Sequence, residues 1–129
     1  MTTHKYRAWD PEIREMRGVS GIHCGLNAVE FSTDELGTLP HNLDEYELMP
    51  YTGFNDRNGR EIYEGDIILT TSGVKTVVFS DDIGCFEATD TTGARGLYGY
   101  VVNDGVAVIS NIYETPDLVR KQFAPVHEE

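Results

Sequence analysis

The feature that most limits what this chain can become is a succession of short β-branched and aromatic runs, each closed by residues that favour a tight reversal. Asp66-Ile67-Ile68-Leu69-Thr70-Thr71 is followed by Ser72-Gly73 and then by Val74-Lys75-Thr76-Val77-Val78-Phe79, the pattern of a hairpin. Asp81-Asp82 and Gly84 lead into Cys85 to Thr89. Beyond a Thr/Gly-rich loop, Leu97 to Val102 reads as a further strand. Asn103-Asp104-Gly105 has the composition of another hairpin turn, before Val106-Ala107-Val108-Ile109, whose four consecutive apolar residues suit a strand covered on both faces. Strands of this length cannot hide their backbone groups singly, so they must pair into sheets.

The first third of the chain is less regular. Lys5-Tyr6-Arg7-Ala8-Trp9 alternates charged and apolar side chains at period two, which predicts a strand with Trp9 turned into the core. Asp10-Pro11 marks a turn, and Met16 to Val19 returns as a partner strand before Gly18 and Gly21 interrupt it. His23 to Phe31 is a weaker strand, with Gly25 and Asn27 pointing to a bulge or tight turn. Ser32 to Asp44 has no clear period and is expected to be a loop with at most one helical turn. Further on, Asn58-Gly59 tolerates the positive φ angles of a sharp reversal between Phe54 and Ile62. Near the end, Thr115-Pro116-Asp117-Leu118-Val119-Arg120 predicts a short helix, Thr115 capping its free N–H groups and Pro116 taking the first helical position.

These elements describe a mainly β chain, α+β at most. We divide it into a β-rich N-terminal arm or subdomain over residues 1–47 and a second part over 48–129. With 129 residues, 40% hydrophobic and 25% charged, the chain has the length and composition of an ordinary folded domain. No apolar run approaches the roughly twenty residues that span a bilayer, so no membrane helix is expected. Met1 to Arg7 lacks the apolar stretch of a secretory signal, which makes the cytoplasm the expected compartment. Cys24 and Cys85 have no metal-ligand spacing, and the plain reading is a pair of buried free thiols.

A formal charge of −12 repels phosphate backbones and counts against duplex nucleic-acid binding over a general surface. Six carboxylates and no Lys or Arg fall between Glu30 and Glu47, which is expected to form a solvated rim; a cation site or basic partner is the alternative.

The stretch Leu48-Met49-Pro50-Tyr51-Thr52-Gly53-Phe54-Asn55-Asp56-Arg57-Asn58-Gly59-Arg60-Glu61-Ile62-Tyr63-Glu64-Gly65-Asp66-Ile67-Ile68 resembles the central motif of the YopX family of phage and prophage proteins. Val108 to Leu118 is similar to that family's ending and Lys5 to Asp10 to its opening, in the family's order. Tyr51 stands where the family often has Phe, and Ser110 where it often has Gly. The resemblance implies a phage-associated protein of the host cytoplasm whose C-terminal half is an SH3-type small barrel behind a β-rich N-terminal part. It implies no reaction, no cofactor and no catalytic residue.

The motif's own chemistry must therefore be weighed from its residues. Asp56, Glu61, Glu64 and Asp66 are the carboxylates that could converge on calcium or magnesium. Asp56-Arg57-Asn58-Gly59 is only a fragment of a calcium loop, without the later bidentate Glu at its spacing. Used as acid and base, Glu64 and Asp66 would need a pocket that separates their pKa values. His4, His23, His41 and His127 form no metal-spaced set, and a Cys–His nucleophile built on His23 has no recognisable motif. Tyr51, Phe54, Arg57, Arg60 and Tyr63 form a candidate interaction surface, with Tyr98, Tyr100 and Tyr113 as further aromatics; packing in the core and at sheet edges is the plainer use of these rings.

Three functions follow in order. The first is a non-catalytic accessory protein that self-associates or binds a phage or host protein through exposed strand edges and the N-terminal arm. The second is a nucleic-acid accessory module using aromatics with Arg57, Arg60 and Lys75, and the third a metal-dependent hydrolase.

Overall fold

A computed structural model of the chain describes residues 5–31, 40–103 and 105–115. The chain divides into two compact units, residues 1–51 and 52–129, the boundary falling within a single strand.

In the first unit, β1 (Tyr6–Asp10), β2 (Glu15–His23), β3 (Ala28–Phe31), β4 (His41–Asn42) and the start of β5 (Glu47–Asn55) form an antiparallel sheet in the order β4-β3-β2-β1-β5. The Asp10-Pro11 turn is held by the Asp10 carboxylate, which accepts the N–H groups of Glu12 at 3.0 Å and Ile13 at 3.4 Å. Gly18 and Gly21 do not end β2. The strand absorbs them with a bulge between Val19 and Gly21, where its register against β3 shifts. Ala8, Val29 and Phe31 are the buried centre, with Val19, Ile22, Leu43, Tyr46 and Leu48 packed around them. Trp9 is buried as expected, with the Arg14 guanidinium 5.8 Å from its ring. The single helical turn allowed for in the acidic loop is present at Leu43–Glu45, capped by the Asn42 side chain.

The second unit begins with the remainder of β5, followed by β6 (Glu61–Tyr63). The turn between them is the reversal that Asn58-Gly59 predicted, closed by the Asp56 N–H on the Arg60 carbonyl at 2.7 Å, with Gly59 at φ 86°. Among the described residues a Cβ at Gly59 meets nothing within 4 Å, so the cost of substitution there is conformational. Gly59→Ala is expected to lower stability by about 1 kcal/mol through the left-handed backbone it would impose on alanine, and a thermal melt measures this.

Beyond β6, β7 (Asp66–Thr70), β8 (Gly73–Ser80), β9 (Cys85–Asp90), β10 (Gly93–Gly96) and β11 (Ala107–Asn111) form an antiparallel sheet in the order β10-β9-β8-β7-β11. The last strand returns beside the first, as an SH3-type arrangement requires. The barrel is nevertheless not closed, because β10 and β11 stand at opposite edges and no pairing among the described residues joins them. A helix between them fills the sheet's inner face instead. Its residue Leu97 is buried with Ile62, Ile68, Val77, Ala88, Val106 and Val108.

That helix, α1 (Leu97–Asn103), corrects the strand expected over Leu97 to Val102. Tyr and Val favour strands, but the apolar side chains that pack on the core are Leu97, Tyr100 and Val101, at helical spacing, while Tyr98 and Val102 are exposed. The Asn103 to Gly105 turn is accordingly a helix-to-strand connection, not a hairpin; Asp104 itself lies outside the described residues. In the last apolar run Val106, Ala107 and Val108 are buried but Ile109 is exposed, because β11 bulges between Val108 and Ser110. Cys85, expected to be buried, is exposed at the first position of β9 beside the turn, and the terminal helix expected from Pro116 lies outside the described residues. No described helix is long and apolar enough to cross a membrane.

Candidate functional site

The carboxylates of the central motif are engaged in holding the backbone. Asp56 is buried, and its Oδ1 accepts the N–H groups of Asn58 at 2.9 Å and Arg60 at 2.8 Å while Oδ2 accepts that of Val108 at 2.9 Å. Burial alone would push its pKa up. The three N–H donors, from Val108, Arg60 and Asn58, together with the nearby Arg60 charge, outweigh it and hold the group below the usual carboxylate range. Asp66 is buried and accepts the Tyr63 N–H at 2.8 Å, and Glu61 accepts the Tyr63 hydroxyl at 3.0 Å. Glu64 is half-buried in the turn before β7. Among the described residues no three of His, Cys, Asp or Glu come together as a metal site, so Asp56, Glu61, Glu64 and Asp66 are not gathered into one. His23 is paired with Glu30, its Nε2 2.8 Å from the carboxylate.

The expected interaction residues are divided by role. In the first unit, Tyr51 donates its N–H to the Lys5 carbonyl, and the Lys5 ammonium lies 5.4 Å from its ring. In the second, Phe54 packs on the core, Tyr63 is half-buried, and Arg57 and Arg60 are exposed. Lys75 cannot join those arginines in a basic patch. It is 5% exposed and bound to Asp90, Nζ to Oδ2 at 2.5 Å. That bond, with the Thr92 hydroxyl and N–H on the same carboxylate, depresses the Asp90 pKa far below its ordinary value. The second reading, a nucleic-acid module built on that cation, loses part of its footing.

Among the described residues, two of the surface cavities have volumes of about 450 Å³. One is lined by Asp10, Glu12, Asp44, Glu45, Tyr46 and Glu47, and there burial first and the Asp10 charge second push the Tyr46 hydroxyl pKa up. Its Asp10 is already engaged by the turn it caps and by Arg17 at 3.5 Å. The other is lined by Arg95, Gly96, Tyr98, Gly99, Tyr100 and Asn103. Tyr98 is 63% exposed, with the Phe54 ring 5.8 Å away, and Tyr100 packs on the core with the Lys75 ammonium 5.8 Å from its ring. Tyr98 and Tyr100 were legible as aromatics but not as neighbours of Arg95. Reading residues 97–102 at helical period would have found them, since it turns Leu97, Tyr100 and Val101 inward and leaves Tyr98 outside.

With the geometry in view, a family model described as YopX protein matches residues 5–120. The chain belongs to the YopX family. Its fold is similar to that of protein EF1440 from Enterococcus faecalis, with 24% identity and a TM-score of 0.65 over 92% of this chain and 99% of that one. It is also similar to protein yopX from Bacillus subtilis, with 25% identity and a TM-score of 0.58 over 92% of this chain and 97% of that one. A search of curated proteins finds no match. Within the YopX-like block from Leu48 to Ile68 sit Asp56, Gly59 and Asp66, the residues shown above to hold its turns.

Proposed function

We propose that this YopX-family protein is a non-catalytic accessory protein of phages or prophages that acts in the host cytoplasm by protein–protein contact, first of all with copies of itself. The observation that carries the reading is β10. It is an edge strand whose four residues, Gly93 to Gly96, are all exposed, and no described strand lies beyond it. An open edge offers a row of unpaired N–H and C=O groups to a second chain. At the other edge, part of the neighbouring backbone is occupied, with the Arg57 N–H on the Val106 carbonyl and the Val108 N–H on Asp56. The motif carboxylates support the same reading, since their hydrogen bonds go to the chain's own turns.

Light scattering coupled to size-exclusion chromatography tests it. The protein is expected to run larger than a monomer at tens of micromolar, and Ala94→Lys is expected to shift it toward monomer. Lysine guards a strand edge while lowering the magnitude of the −12 charge, so a loss of association cannot come from added repulsion. A strict monomer at every concentration would sink self-association, and a monomer that also captures no partner from a host lysate would sink the proposal.

A further inference from the structure

Asn58 is the one asparagine in the sequence that is followed by glycine. That pair favours loss of the side-chain amide, because no β-carbon on the next residue hinders its backbone nitrogen. The Gly59 nitrogen attacks Asn58 Cγ to form a five-membered imide, the Cγ–Nδ2 bond breaks, and ammonia leaves with the proton that the attacking nitrogen gives up. Water then adds to either ring carbonyl. Opening at Cγ leaves aspartate at position 58, and opening at the backbone carbonyl leaves isoaspartate, in which the main chain runs through one extra methylene. Water is the only co-reactant.

Packing does not prevent this reaction. Asn58 and Gly59 are exposed, and among the described residues a Cβ built on Gly59 meets nothing within 4 Å. The turn itself does prevent it. The nitrogen must lose its hydrogen to attack, yet the Gly59 N–H is donated to the Asp56 carbonyl at 2.9 Å. Neither Arg57 nor Asn58 has a positive φ, so the hydrogen-bonded turn they form is type I, with a ψ of about 0° at Asn58. Ring closure needs the Gly59 nitrogen eclipsed with Cβ about the Cα–C bond, roughly 120° away from that ψ, because N and Cβ stand a third of a turn apart around Cα. The turn must therefore open before the imide forms. Asp56 opposes opening: its Oδ1 accepts the N–H groups of Asn58 at 2.9 Å and Arg60 at 2.8 Å, and its own N–H is donated to the Arg60 carbonyl at 2.7 Å.

We infer that Asn58 is a modification site gated by this turn, shielded while the turn is closed and converted to aspartate and isoaspartate when it opens, the isoaspartate then keeping the turn from closing again. The last step follows from chain length. The bonds of Gly59 and Arg60 to Asp56 all span the Asn58–Gly59 link, and an added methylene in that link moves both residues out of register with Asp56. The same loop is tied to the start of β11 by the Arg57 N–H on the Val106 carbonyl and the Val108 N–H on Asp56 Oδ2, so the change reaches the second sheet. The inference uses no strand edge and stands apart from self-association.

The test is incubation of the full chain in buffer and in guanidinium chloride at mildly alkaline pH, followed by chymotryptic digestion and tandem mass spectrometry of the peptide from Asn55 to Tyr63. In denaturant, Asn58 is expected to show the mass gain of amide-to-acid conversion well before Asn55, whose neighbour is Asp56. In buffer the rate at Asn58 is expected to be at least about tenfold lower, since only the open fraction reacts. Gly59→Ala in denaturant is expected to slow conversion several-fold, as attack through that nitrogen requires, and this arm does not depend on the variant folding. After removal of denaturant, the isoaspartate fraction, resolved by hydrophobic-interaction chromatography, is expected to melt lower than Asn58→Asp, which keeps the normal backbone. Equal rates in buffer and denaturant, no conversion at Asn58 in denaturant, an unchanged rate in Gly59→Ala, or an isoaspartate fraction that melts with Asn58→Asp would each overturn the inference.

Discussion

Asp56→Ala is expected to destabilise the second unit by roughly 4 kcal/mol, because it removes one acceptor atom from two turn N–H groups and another from the buried N–H of Val108. Leaving a buried donor unsatisfied costs about 1–3 kcal/mol, and a bond to a charged acceptor is worth about 1.5–3 kcal/mol, so three such losses add to a large fraction of an ordinary domain's stability. Urea denaturation followed by tyrosine fluorescence checks it. A loss under about 1 kcal/mol would mean that water replaces the carboxylate at Val108. The same group makes a pH prediction. Its folded pKa lies below its unfolded value, so its contribution is fully present above the unfolded pKa and is lost as pH falls through the folded one. The acid limb of a stability-versus-pH curve is therefore expected to flatten in Asp56→Asn relative to wild type.

Asp90→Ala is the second large effect, expected at roughly 3 kcal/mol, since it leaves the Lys75 ammonium buried without its carboxylate. The size comes from the lysine and not from the pair's attraction. Replacing Lys75 by Met in the Asp90→Ala background is therefore expected to restore most of the loss, because a well-packed apolar side chain needs no partner. A double-mutant cycle in guanidinium chloride measures both steps, and additive losses would show that Lys75 reaches water when unpaired. The sign of the pH dependence matches that of Asp56: Asp90 has a depressed folded pKa, so the pair's contribution holds above the unfolded value and fades as pH falls through the folded one.

Most strands were legible because their signals are local. Tyr6 to Trp9 alternate at period two, the Asp66–Thr71 and Val74–Phe79 runs flank Ser72-Gly73, and β1, β7 and β8 form there. Asn58-Gly59 turns for the same reason, through the φ that glycine accepts. Period reading failed at Leu97 to Val102, where strand-favouring residue types conceal a helical arrangement of the three that pack on the core. It failed as well for the role of Asp56. The spacing among Asp56, Glu61, Glu64 and Asp66 invited a cation, but the partner that explains Asp56 is Val108, 52 residues away, which no local pattern reveals.

The amino-acid order by itself determined the family, the mainly β character and the positions of the reversals, since each depends on a few adjacent side chains and the backbone angles they permit. Tertiary structure alone decided that the barrel stays open, that Lys75 is a core residue tied to Asp90, and that Arg95, Tyr98 and Tyr100 share a cavity. Those outcomes turn on which distant elements pack together, and the free energy of burying a charge or leaving a strand edge uncovered is set by neighbours that the local sequence does not name.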